Sequence, residues 1–425
     1  MLLTALAVLA APAVVLRAAC AGKSCPEPPP AAEPPAFCGL PGDSRALIAA
    51  GFREARSPDV LAFGQVATDL GGDTGVRWSM DPATTRVPMV LVGTGVRAGA
   101  LPDGVRLDRL APTLERIAGI RRPHPDVRTG EALPGVTLRS ARSPLLVVIV
   151  WKGVGSDALE AAPTSWPRLR SLASEGASTM DASTGSLPVD PAAVLSTIGS
   201  GALPSHHGVT GSLLRAADGA VVPAWSERAP LPVIAFLGDD LDEGTGQRSR
   251  IGLVAGVPSD RGLIGGTWYL GHDRDDVVTD GRPAAAVVAQ LLEAGYGAPD
   301  GAADLMGVVL DGRVRTMDGI TRTVVRLVRD QVPDALVAIT ATGHAGASSQ
   351  DAPADALVAE IERDARVPGV VAAAGTGGVF LDREVAEAGG ISAPVASRAL
   401  ARGAARLGAD AVAFPGYAVT LRRFC

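Results

Sequence analysis

Seven apolar runs of strand length punctuate the chain: DVLAFG at 59–64, VPMVLVG at 87–93, LLVVIVW at 145–151, PVIAFLG at 232–238, IGLVAG at 251–256, LMGVVLD at 305–311 and DALVAIT at 334–340. They are continuous rather than alternating, so each is predicted as a strand covered on both faces. Between several of them lie LAPTLERIAGI at 110–120, PAAAVVAQLLEAG at 283–295 and GITRTVVRLVRDQV at 319–332, whose apolar residues recur at helical spacing. Alternation of this kind predicts an α/β fold with a mostly parallel central sheet and helices on both faces. No repeat of solenoid period stands out.

The first segment belongs to a different class. LLTALAVLAAPAVVL at 2–16 is apolar but short for a bilayer span, and Ala19-Cys20-Ala21 follows as a small-residue cleavage pattern. Residues 1–21 therefore read as a signal peptide, which predicts an exported protein, extracellular or in the cell envelope, with no transmembrane helix in the mature chain. Lipoprotein anchoring at Cys20 is the lesser alternative, because Arg17 interrupts the pattern that it needs. Residues 22–37 contain PEPPPAAEPPAF, a proline-rich linker that is extended rather than packed, and the folded body is expected over 38–425 as a single domain.

Composition narrows the picture. With 425 residues, a net charge of -6 and no basic patch, the chain buries a large core and gives no sign of nucleic-acid binding. Only 4% of residues are aromatic, so the core must be built from Val, Leu, Ala and Ile. Past Cys20 and Cys25 the chain has only Cys38 and Cys425, at opposite ends of the body. In an oxidising compartment these two are expected to pair, with a chain-entropy contribution of about 5 kcal/mol. Two unpaired buried thiols are the alternative.

Several segments together resemble the alkaline phosphatase superfamily, in its type I phosphodiesterase and nucleotide pyrophosphatase branch. LLVVIVWKG is similar to that family's first strand, which normally ends in Asp-Gly, and WPRLRSLASEGAST to the helix and strand that follow. GSLPVDPAAVLSTIGSGALPSHHGVTG resembles the nucleophile turn, its helix and the His-Gly segment, and DALVAITATGHAG the late strand that ends in Asp-His-Gly. TRVPMVLVGTGVRAG and LDRLAPTLERIAGI resemble the family's closing segments, yet here they precede the first strand. The resemblance thus implies an alkaline-phosphatase-like three-layer sandwich in circular permutation, with 38–135 equivalent to the family's C-terminal part and 143–425 to its N-terminal part. A decayed tandem copy is the rival explanation, disfavoured because half a sheet leaves an uncovered face.

The resemblance also assigns site positions. Family members hold two metal ions, usually zinc, that stabilise the attacking and leaving oxygens around a Thr or Ser nucleophile. Here Lys152 stands in place of the first-strand aspartate, and a protonated ammonium cannot ligate a metal. The nucleophile position falls on Asp190, or on Val189 if the turn is shifted by one. Asp311 and Arg315 replace an Asp-x-x-x-His pair, and His344 follows the late strand one residue out of place, leaving Asp311 and His344 as candidate metal ligands. Among five histidines, His206 and His207 occupy a structural turn and His124 sits in the join.

These substitutions imply a pseudoenzyme or binding protein with no cofactor expected. Lys152 is read as pairing with Asp190, as reaching to solvent, or as donating with Arg315 to a phosphate-containing or other anionic ligand. The alternative is an active phosphatase or phosphodiesterase using zinc or another divalent metal and atypical ligands. Two acidic stretches, Asp239, Asp240, Asp242 and Glu243 in GDDLDEG and His272 with Asp273, Asp275 and Asp276 in GHDRDD, are either calcium candidates or solvated turns.

Overall fold

The computed structural model describes residues 36–64, 70–71, 79–120, 122, 125–137, 142–266, 268, 275–343, 352–409, 411–422 and 425. In chain order, the strands that build its two larger sheets are β1 (Val60–Gly64), β2 (Arg86–Gly93), β3 (Gly99–Ala100), β4 (Leu145–Trp151), β5 (Ala177–Ser183), β6 (Ile251–Val254), β7 (Asp276–Val278), β8 (Asp304–Leu310), β9 (Leu336–Ala341), β10 (Val371–Gly375), β11 (Gly378–Leu381) and β12 (Ala411–Pro415).

The eight-stranded sheet has the order β7-β6-β8-β4-β9-β2-β5-β3. Every described pairing in it is parallel except the two made by β2, which runs against β9 and β5. All residues of β4 and β8 are buried, as continuous apolar runs predict when helices cover the sheet. Those helices include Leu110–Ala118, Pro167–Glu175, Pro191–Ser200, Leu237–Thr245, Ala284–Glu293 and Val314–Gln331. Their inward residues, such as Leu114, Leu172, Leu195, Leu241, Val288 and Val325, belong to one core with the strand side chains. The VPMVLVG and LLVVIVW runs lie in this one sheet, separated by β9 alone.

Two expectations need correction. DVLAFG does not join the parallel sheet: it is β1, in a four-stranded sheet of order β10-β11-β1-β12 whose described pairings are all antiparallel. Alternate residues of β1 serve two cores. Val60 and Ala62 pack with Leu357, Ile361 and Leu400 of helices Ala354–Ala365 and Ala393–Arg406, while Leu61 and Phe63 pack with Phe37, Leu187 and Phe414. A continuous apolar run records cover on both faces and is silent on strand direction. PVIAFLG is not a strand at all. Its end is drawn into the helix Leu237–Thr245, whose first turn Asp239 closes by accepting from Phe236 N at 2.7 Å.

The Cys38–Cys425 disulfide is formed, as expected from the sequence. Phe37 beside it stacks near Phe414 of β12, with ring centroids 5.3 Å apart. No helix among the described residues is long and apolar enough to cross a membrane.

The His-Gly turn supplies a pH dependence. His207 is wholly buried. Val209 N donates to its Nδ1 at 3.1 Å, which puts the proton on Nε2, 3.2 Å from Thr197 Oγ1. Thr197 gives its own proton to Ala193 O at 3.0 Å, so a protonated ring would lose its place in the chain of donors. Burial, reinforced by His206, Arg56 and Arg53, depresses the imidazole to about 3. The folded value lies below the unfolded one, so this stabilisation is complete above about pH 6.5 and is lost as the pH falls. Denaturant titrations should show roughly 3 kcal/mol less stability from this group at pH 4 than at pH 7. His207→Asn, which keeps an acceptor near Nδ1 but does not titrate, should flatten that slope.

Candidate functional site

The parallel strands deliver their carboxyl ends to one edge of the sheet, where α/β folds place ligands. Trp151 is in register with Leu310 of β8 and with Ala341 of β9, so the next residues, Lys152, Asp311 and Thr342, leave the sheet together. Backbone bonds fix the edge: Lys152 N donates to Leu310 O at 2.8 Å and Thr342 N to Trp151 O at 3.0 Å. Thr342 Oγ1 then accepts from Gly153 N at 2.9 Å.

Lys152 does not pair with Asp190. Its Nζ donates to Asp260 Oδ1 at 2.9 Å, with the Lys152 side chain 17% exposed and that of Asp260 1%. Asp260 comes from the short 3₁₀ helix Pro258–Leu263, held against the helix Pro191–Ser200 where Gly199 and Gly262 allow close approach. Burial pushes the Asp260 carboxyl above the usual carboxylate range, against the pull of Lys152, and nearby Asp311 pushes the same way. Asp260 Oδ2 is buried with no hydrogen-bond partner among the described residues. The Lys152 ammonium is thus engaged by a buried carboxylate.

Asp190 is held elsewhere. It caps the helix Pro191–Ser200, its Oδ1 accepting from Ala192 N at 2.8 Å and Ala193 N at 3.3 Å. Ser212 donates to it from both N and Oγ at 3.0 Å, and Thr376 Oγ1 donates to Oδ2. With 0% exposure, Asp190 has no lone pair directed at a solvent-filled space. Its neighbour Val189 instead lies over the sheet edge, with Cγ1 2.9 Å from where a Cβ on Gly343 would stand. Gly343 has φ +85°, a left-handed conformation in which glycine is the unstrained choice.

Asp311 is exposed at the edge, and Arg315 is exposed in the first turn of the helix Val314–Gln331. His344, His272 and His124 lie outside the described residues. Among those described, no three His, Cys, Asp or Glu side chains are grouped as metal ligands. Of the two metal ligands that the resemblance implies, Asp311 is exposed at the strand edge and His344 lies outside the described residues.

Three acids of the two stretches hold structure together. Asp239 accepts from Phe236 N, Gly266 N and Trp268 N. Asp240 pairs with Arg128 at 2.8 Å in a buried network with Glu115 and Arg122. Asp276 accepts from the Tyr296 hydroxyl at 2.8 Å.

Two residues at this site escape the sequence reading. Asp260 is a lone acid in a Pro-Ser-Asp turn, and its link to Lys152 spans 108 positions. Ser186, in the same turn as Asp190, is 1% exposed and its hydroxyl has no hydrogen-bond partner among the described residues. Comparison with family models, curated proteins and solved structures finds no match to this chain.

Proposed function

We propose that this is an exported protein of alkaline-phosphatase-like, circularly permuted fold that has lost two-metal hydrolysis and acts as a binding protein of the cell envelope. The observation that carries the reading is the Lys152–Asp260 pair at 2.9 Å. At the strand position where the resemblance expects a metal-binding aspartate, an ammonium supplies the positive charge itself and engages a buried carboxylate by a charge-assisted hydrogen bond. A divalent ion placed there would meet Lys152 as a like charge. Export is supported by the signal-like leader and is compatible with the disulfide. The permutation is supported by the shared sheet of VPMVLVG and LLVVIVW.

A second reading, an active metal-dependent phosphatase or phosphodiesterase, is favoured by Asp311, exposed at the strand edge. Elemental analysis of the purified protein, with nitrophenyl phosphate and phosphodiester assays with and without zinc or manganese, separates the two. The expected result is substoichiometric metal and turnover equal to the protein-free blank. Stoichiometric zinc together with turnover abolished by Asp311→Ala would establish the second reading instead.

A further inference from the structure

Away from the sheet edge, the helix Gly42–Gly51 and the His-Gly turn enclose a cleft of about 470 Å³. Arg45, His206 and Arg422 line it together with Phe37, Ala49 and Leu203, and no carboxylate is among its lining residues. This is unusual for a chain of net charge -6. Three arginines with side chains under a tenth exposed are matched by acids, Arg122 with Glu115, Arg128 with Asp240 and Arg215 with Asp59, and the half-buried Arg53 and Arg56 donate to carbonyls. Arg45 and Arg422 have no acidic partner among the described residues, and Arg45 Nε is buried without any hydrogen-bond partner. A guanidinium partly withdrawn from water with no counter-charge is costly unless an anion completes it.

The cleft is also built rather than incidental. Arg53 Nη1 fixes the opposite wall by donating to Ser205 O at 2.8 Å, and Ser205 Oγ lies 3.1 Å from His206 Nδ1. The Cys38–Cys425 bridge ties the segment bearing Phe37 to the one bearing Arg422, whose carbonyl accepts from Cys425 N at 3.1 Å. Cationic groups thus stand beside an apolar floor of Ala46, Ala49 and Leu203.

We infer that this cleft is a binding site for a small organic anion, a carboxylate or phosphate head on a compact apolar body. Arg45 and Arg422 take the head, through the forked donors that suit both oxyanions, and Ala46, Ala49 and Leu203 take the body. None of the residues that line this cleft belongs to the Lys152 edge.

Isothermal titration of the full chain with phenyl phosphate, benzoate, inorganic phosphate and benzyl alcohol tests it. Phenyl phosphate or benzoate should bind saturably at one site, inorganic phosphate more weakly, and the neutral alcohol not at all. Arg45→Gln and Arg422→Gln should each weaken binding at least tenfold, a loss of about 1.4 kcal/mol or more, with the melting temperature unchanged. Arg422 is exposed, so its variant remains informative if Arg45→Gln folds poorly. Absence of saturable binding by every anion, or binding that survives both substitutions together, overturns the assignment.

Discussion

Replacing Asp190 by alanine is expected to lower the free energy of unfolding by about 4 kcal/mol, read from a urea titration followed by tryptophan fluorescence. The size follows from what the carboxylate holds together. It caps the helix Pro191–Ser200, takes the N–H and hydroxyl of Ser212, and receives Thr376 Oγ1 from the turn between β10 and β11. Loss of a cap alone costs about 1 kcal/mol, and each buried donor left without an acceptor adds about 1–3 kcal/mol. Asp190→Asn keeps an oxygen for the helix but turns a donor toward Ser212 or Thr376, so an intermediate loss of about 2 kcal/mol is expected. A residue whose role is confined to chemistry would leave the unfolding midpoint of both variants where it is in the parent. That outcome would return Asp190 to the catalytic role implied by the resemblance.

The second large effect belongs to the bridge. Cys38 and Cys425 are 387 positions apart, so Cys425→Ser frees a loop of almost the whole folded body. In the chain-entropy account a loop this long costs about 5–6 kcal/mol, at the upper end of the range for a single disulfide. Parallel titrations of the parent with and without reductant should reproduce the loss seen in the variant, and the reductant should leave the variant unaffected. A parent indifferent to reduction would mean that the unfolded chain gains little freedom when the bridge opens, or that packing of Phe37 on Phe414 already holds the two segments.

The central sheet is legible in the sequence because its physics is local. Runs such as LLVVIVW and LMGVVLD have no polar position to face water, and β4 and β8 are buried throughout. The helix Val314–Gln331 is equally plain from its spacing of Met317, Val324, Val325 and Val328. The second sheet is not legible, because β1 looks the same in sequence whether its neighbours run with it or against it. The site is less legible still. Lys152 stands out only against the pattern that the resemblance implies, and its partner lies in PSDRGL, a stretch with no feature beyond turn chemistry. Asp190 misleads for a related reason: an aspartate before Pro-Ala-Ala is equally what a helix N-terminus asks for, and here that demand, joined by Ser212 and Thr376, takes up both of its oxygens.

The covalent link between Cys38 and Cys425 turns the folded body into a macrocycle. One scission anywhere between those two residues linearises the ring without detaching a piece, and the halves part only under reducing conditions. Two cuts are needed to shed a fragment, so a protease meeting one accessible bond would leave the molecular mass of the oxidised body unaltered apart from one added water.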